Sequence, residues 1–183
     1  KNRTALTTVP DEIAELWVER LAAKGFRIVG TLDSLLDVDN MAVSIRHAKK
    51  VGIQSVGALV FCESPLHTDE LYARTARELV ERCGVDGIMI KDSGALLTPD
   101  RIRTLVPALK AVIGKVPLEL HSHCTIGLAP LVYLDGVRAG FHAVHTANGP
   151  LSRGTSQPET VNTAINLEAA GFETHRITFS EPG

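Results

Sequence analysis

The sequence predicts an α/β fold built on a parallel sheet, and three observations carry that expectation. Apolar, β-rich runs begin near positions 27, 54, 87, 117 and 142, so a strand-plus-helix unit recurs about every 30 residues, the length of a βαβ unit. The runs are mostly continuous rather than alternating, as parallel strands covered on both faces should be. Polar residues collect where the runs end: Asp33, Glu63 and Ser64, Lys91 and Asp92, His121 and His123, and His145. Spacing alone leaves two architectures open, a doubly wound sheet and a portion of an eight-unit barrel. In both, chemistry is placed at the carboxyl ends of the strands.

The elements follow in order. From Asp11 to Ala23 the apolar positions Ile13, Leu16, Trp17 and Leu21 recur at helical spacing, with Pro10 and Asp11 at the start and Gly25 as a stop. Arg27 to Leu32 reads as a strand ending at Asp33, and Asp39 to Lys50 as a helix closed by Gly52. Gln54 to Phe61 is a continuous β-rich run. Thr68 caps a long amphipathic helix that runs to Cys83 before Gly84. Gly87 to Ile90 is an apolar strand that delivers Lys91 and Asp92. Thr98 as N-cap and Pro99 at the first helical position open a helix to Ile113. The strand from Leu118 carries the two histidines. Gly127 turns the chain into a helix from Leu128 to Ala139, and a strand from His142 to Thr146 and a helix from Glu159 to Ala170 complete the series. The run from Thr174 to Gly183 carries no structural signal, so the division expected is a domain over 1–173 and a tail over 174–183.

Composition narrows the class. Hydrophobic residues make up 44% of the 183 and charged residues 22%, which fits one globular domain with a real core rather than a disordered chain. The formal net charge is −2, so nothing in the electrostatics calls for nucleic acid or an anionic membrane. Cys62, Cys83 and Cys124 are scattered and odd in number, which implies no disulfide framework and fits a reducing, cytoplasmic setting. No apolar run is long enough for a membrane span. The chain opens with Lys1-Asn2-Arg3 instead of a methionine, so a segment of a longer protein is expected.

His121 and His123 are the sharpest chemical signal. Residues i and i+2 of a strand share a face roughly 7 Å apart along the chain, so two imidazoles can converge on one metal ion. The bland alternative is a pair of hydrogen-bonded surface histidines. Lys91 closes a buried strand, where desolvation lowers an amine's pKa and makes it nucleophilic. It could form a Schiff base, clamp a phosphate or become a carboxylated metal ligand, or it could simply snorkel at the rim. Gly154-Thr155-Ser156-Gln157-Pro158 is a hydroxyl-rich loop whose plainest use is capping, by Ser156, of the helix that follows. Cys124 is read as inert rather than as a third ligand, because neighbouring strand residues point opposite ways. His67, His142 and His145 are read as structural, and Arg101, Arg103 and Lys110 as a solvated helix face.

Three segments taken together resemble a known family. They are Ile90-Lys91-Asp92-Ser93-Gly94-Ala95-Leu96-Leu97-Thr98-Pro99, then Leu118-Glu119-Leu120-His121-Ser122-His123, then Pro150-Leu151-Ser152-Arg153-Gly154-Thr155-Ser156-Gln157-Pro158. They look like the biotin-dependent carboxyltransferase domain found in pyruvate carboxylase, the oxaloacetate decarboxylase alpha subunit and transcarboxylase. Leu32-Asp33-Ser34-Leu35 and Ser64-Pro65-Leu66-His67-Thr68 are weaker matches. The resemblance implies a TIM barrel of the HMG-CoA-lyase type with a divalent metal, commonly zinc and otherwise manganese or cobalt, at its strand ends. It makes Lys91 a carboxylated, anionic ligand and His121 and His123 the imidazole ligands. It makes Thr155 the residue that shuttles a proton between biotin and the substrate enolate. The implied substrate is a 2-oxo acid, pyruvate or oxaloacetate. The implied partners are a biotin carboxyl carrier domain and a biotin carboxylase, in a homo-oligomer.

By the same resemblance the chain covers the last five β/α units. The first three, with an aspartate ligand on the first strand and a substrate-binding arginine on the third, are expected on a longer chain or in the other half of an assembly. Cys124 and His145 stand where the family usually has aspartates, and Gly30 where it usually has an arginine. Two other functions compete: aldol-type cleavage or Claisen-type condensation in the wider metal-dependent lyase superfamily, and a non-catalytic structural or regulatory remnant. Lys91 and the Thr155 loop argue against the lyase reading. Sequencing upstream of Lys1 checks the ligand set, and an aspartate at the end of the first barrel strand is the expected finding.

Overall fold

The structure, a computed structural model, describes residues 9–174; the tail expected over 174–183 lies, apart from Thr174, outside the described residues. Strands β1 (Ile28–Asp33), β2 (Gln54–Val60), β3 (Gly87–Asp92), β4 (Leu118–Ser122) and β5 (Ala143–Val144) form one sheet in the order β1-β2-β3-β4-β5, every pair parallel. A doubly wound sheet reverses its strand order at a switch point. Here spatial order follows chain order throughout, so the doubly wound alternative falls and a truncated TIM-barrel wall remains. Helix α1 (Asp11–Ala23) precedes the sheet, and α2 (Val38–Lys50), α3 (Asp69–Glu78), α4 (Pro99–Ile113), α5 (Ala129–Ala139) and α6 (Thr160–Ala169) follow the five strands in turn. None is long and apolar enough to cross a membrane among the described residues.

Strand alternation divides the sheet into two faces. Leu59, Phe61, Ile88, Ile90, Leu118 and Leu120 enter one continuous core with Ile45, Tyr72, Leu79, Leu105, Leu109 and Val132 of the surrounding helices. Val56, Ala58 and Met89 form a separate small cluster on the other face, the barrel interior. Gly87 lies in the same phase as Met89; a Cβ there would stand 3.2 Å from Val56 and 3.4 Å from a Glu119 carboxylate oxygen. Lys91, two residues after Met89, is therefore the last interior residue of β3.

Capping follows the local sequence. Thr68 and Thr98 each accept a hydrogen bond from the backbone N–H three residues on, and Pro99 begins α4. At α6 the cap is Glu159, which accepts from Val161 and Asn162, and not Ser156. The α-helical geometry of α3 ends at Glu78; a π turn over Leu79–Cys83 carries the chain to Gly84, left-handed at φ 61°. The last strand is two residues long instead of five. His142 and His145 still donate backbone bonds to Leu118 and Leu120 at 2.7 and 2.8 Å, but no further strand extends the ladder among the described residues.

Two polar strand-end residues turn out to hold loops. Asp92 is fully buried on the helix side, where it accepts from the N–H groups of Leu96 and Leu97 at 2.9 and 3.0 Å and from the Ser122 hydroxyl at 2.7 Å. Asp33 does the same work for its own loop, accepting from Leu35, Asp37 and the Asn40 amide, and these bonds hold its carboxyl below the usual range against the opposing pull of burial. Glu63 reaches Arg101, which also pairs with Asp69, so Arg101 joins loop to helix and is not a solvated residue. Replacing Asp92 by alanine would strand two amides and a hydroxyl in the core, a loss of roughly 3 kcal/mol. Urea unfolding of Asp92→Ala should show that drop with little change in the slope against urea.

Candidate active site

The parallel register sets Lys91 beside His121, and both project into the interior with His123. Lys91 Nζ lies 3.4 Å from His121 Nε2, and the Nε2 atoms of His121 and His123 lie 3.2 Å apart. Gln157 Nε2 approaches His121 Nε2 to 3.2 Å. The strand ends and the loop from Arg153 to Pro158 thus close on one point. The loop is tied down from below: Cys124 N–H donates to the Ser156 carbonyl at 2.8 Å.

His123 is oriented by its other nitrogen. Nδ1 sits 2.6 Å from the Thr155 carbonyl oxygen, which can only accept, so Nδ1 carries a hydrogen and Nε2 is the nitrogen turned to the interior. Thr155 itself is exposed. His121 is driven toward neutrality. Burial first, then the nearby Lys91, His145 and His123, push its pKa down to about 4. Burial also lowers the Lys91 amine.

Among the described residues no set of three or more His, Cys, Asp or Glu side chains could hold a metal ion. The donors that converge are two imidazoles and an amine. For a tetrahedral ion with bonds to nitrogen near 2.0–2.1 Å, neighbouring donors lie roughly 3.3 Å apart. The 3.2 Å between the two imidazole nitrogens matches that figure.

Two further residues join the cluster. His145, read from the sequence as structural, approaches His121 with Nδ1 to Nδ1 at 3.4 Å, and its Nε2 lies 3.1 Å from Glu119 Oε2. Glu119 was legible in principle, since it is two residues before His121 on the same face. Tyr133, buried on α5, supports the site from the helix side. Its hydroxyl accepts from Ser122 N–H at 3.1 Å and reaches the His145 carbonyl at 2.5 Å. Cys124 stands apart from the converging nitrogens, and burial raises its thiol pKa. His67 bonds Ser64 at 2.7 Å, and His142 is exposed.

A family described as HMGL-like matches residues 33–179. The chain belongs to it. Among its curated relatives, a pyruvate carboxylase subunit of Methanocaldococcus jannaschii is 42% identical over 90% of the chain and 29% of its own length. The methylmalonyl-CoA carboxyltransferase 5S subunit of Propionibacterium freudenreichii subsp. shermanii is 32% identical over 90% of the chain and 33% of its own length. The carboxyl transferase domain of Rhizobium etli pyruvate carboxylase, solved with pyruvate and biocytin, superposes with a TM-score of 0.84 at 30% identity, over 90% of this chain and 28% of that one. This HMGL-like chain therefore spans about a third or less of the relatives it matches.

The His121 shift makes a pH prediction. Its ring takes up a proton near 6.5 in an unfolded chain and near 4 in the fold. Between those values unfolding absorbs a proton, so stability falls as pH drops through that window and is unaffected above it. With chelator present, the melting temperature should decline from about pH 6.5 to about pH 4, and less steeply in His121→Asn.

Proposed function

We propose that this chain is the metal-centred part of a biotin-dependent carboxyltransferase that moves a carboxyl group between biotin and a 2-oxo acid, pyruvate or oxaloacetate. The observation that carries the reading is the convergence of Lys91 Nζ and the two histidine Nε2 atoms, with contacts of 3.2 and 3.4 Å, at the strand ends. His121 and His123 are the imidazole ligands, each with Nε2 turned inward.

Lys91 is the third ligand in carboxylated form. Its amine is partly buried, and burial lowers its pKa, which favours the uncharged form. A neutral amine attacks carbon dioxide, forms the N–C bond and gives up one proton, leaving an anionic carbamate oxygen where a cation needs charge. The fourth protein ligand implied by the family is an aspartate on an earlier barrel strand. The bound divalent cation, zinc or otherwise manganese or cobalt, supplies Lewis-acid polarisation of the keto carbonyl and stabilises the enolate charge.

Thr155 holds the mobile proton. The residue is exposed, while its carbonyl fixes His123, so it is anchored to the ligand set. The subunit name of one relative supports pyruvate as substrate, and the Rhizobium etli domain with pyruvate and biocytin supports biotin; a biotin carboxyl carrier domain and a biotin carboxylase are the partners this reading requires. Three free cysteines support a reducing compartment such as the cytoplasm, and the exposed apolar residues of α1 and β1, Trp17 at 52% and Ile28 at 54% among them, support burial against further barrel units or a second subunit.

In the full-length protein, Lys91→Ala should lose both bound metal and carboxyl transfer. Thr155→Ala should retain metal and lose transfer by at least about a hundredfold. Metal content by atomic emission and oxaloacetate formation by coupled assay check both. Activity surviving in Lys91→Ala would favour lyase or Claisen chemistry, and a metal-free parent protein would overturn the assignment.

A further inference from the structure

We propose that Glu119 and His145 are positioning residues that lock the His121 ring in the tautomer whose Nε2 lone pair faces the cation site. The inference rests on the metal reading above and extends it to residues outside the ligand set. Its basis is an unbroken chain of contacts across the barrel interior: Glu119 Oε2 to His145 Nε2 at 3.1 Å, His145 Nδ1 to His121 Nδ1 at 3.4 Å, and His121 Nε2 to Lys91, His123 and Gln157 at 3.2–3.4 Å.

Proton counting gives the chain one direction. A carboxylate only accepts, so His145 donates to Glu119 from Nε2. With that hydrogen on Nε2, His145 offers its Nδ1 lone pair, 3.4 Å away, to the Nδ1–H of His121. His121 has one hydrogen to place, and with it on Nδ1 its Nε2 is bare. The far end agrees independently: the Gln157 amide nitrogen, which can only donate, lies 3.2 Å from His121 Nε2, so that nitrogen accepts. The two rings meet nearly at right angles, 84°, with centroids 5.5 Å apart, so they are not stacked face to face.

A metal-bound histidine commonly donates its other N–H to a carboxylate or carbonyl. His123 uses the Thr155 carbonyl at 2.6 Å. For His121 the carboxylate lies one imidazole farther off, and His145 bridges the gap. Glu119 and His145 are both partly buried, at 20% and 34% side-chain exposure, so the pair is shielded without being sealed. Histidine in water favours hydrogen on Nε2. The relay reverses that preference before any cation arrives.

The test uses the full-length protein, zinc as the probe, and competition with a chelator of known affinity. His145→Phe keeps the ring volume and removes the acceptor; Glu119→Leu removes the carboxylate. Each should weaken zinc binding by about 10–100-fold. His145→Asn, whose amide oxygen can still accept from His121 Nδ1, should recover most of the loss. In ¹⁵N-histidine spectra of the zinc-free protein, His121 should be protonated at Nδ1 in the parent and shift toward Nε2 in His145→Phe. Zinc affinity within about twofold of the parent in His145→Phe, an unchanged tautomer, or His145→Asn no better than phenylalanine would each overturn the relay. If the parent binds no zinc, the metal reading falls instead, and the zinc-free spectra still decide the tautomer.

Discussion

The pairing of β3 with β4 is the constraint on which the candidate site depends. Because successive strand residues face opposite ways, a slip of one residue would carry His121 and His123 into the helical layer and replace them with Ser122. Lys91 stands opposite His121 only because Asp92 stands opposite Ser122, and that second pair is joined on the far side by a buried hydrogen bond of 2.7 Å. The polar contact outside the barrel thus fixes the register that the polar cluster inside requires. Asp92 is equally tied to the loop beyond β3 through Leu96 and Leu97.

The helical layer supplies matching anchors from two tyrosines. Tyr72 of α3 accepts from Cys62 N–H at 2.8 Å just past the end of β2, and Tyr133 of α5 does so from Ser122 at the end of β4. Burial raises the pKa of each hydroxyl, Tyr72 to about 12, so both remain neutral donors. Strand ends where loops diverge have backbone groups that the ladder no longer satisfies. A phenol from the adjacent helix meets that need without charge. The strands that carry the site are held from behind.

Much of this was legible in the residues. The 30-residue rhythm gave the five β/α units, the threonine caps placed two helix starts, and His-x-His at a strand end marked the site. Less was legible where one residue type serves two purposes. Asp33 and Asp92 look like site residues in sequence, since a carboxylate after an apolar run can point either way. Only the phase of the strand shows that both turn outward to bind amides. His145 looked structural because no partner is visible near it in the chain; its partners, Glu119 and His121, come from the neighbouring strand, 26 and 24 residues away. Strand order itself could not be read locally, since sequential and switched sheets use the same repeat.

Gly87 ties the apolar floor of the barrel to its chemistry. A methyl group at position 87 would come within 3.4 Å of the Glu119 carboxylate oxygen and 3.2 Å of Val56, so alanine there would press on both by a few tenths of an ångström. The smallest residue on one strand thereby sets how closely an acid on another can lie against the floor.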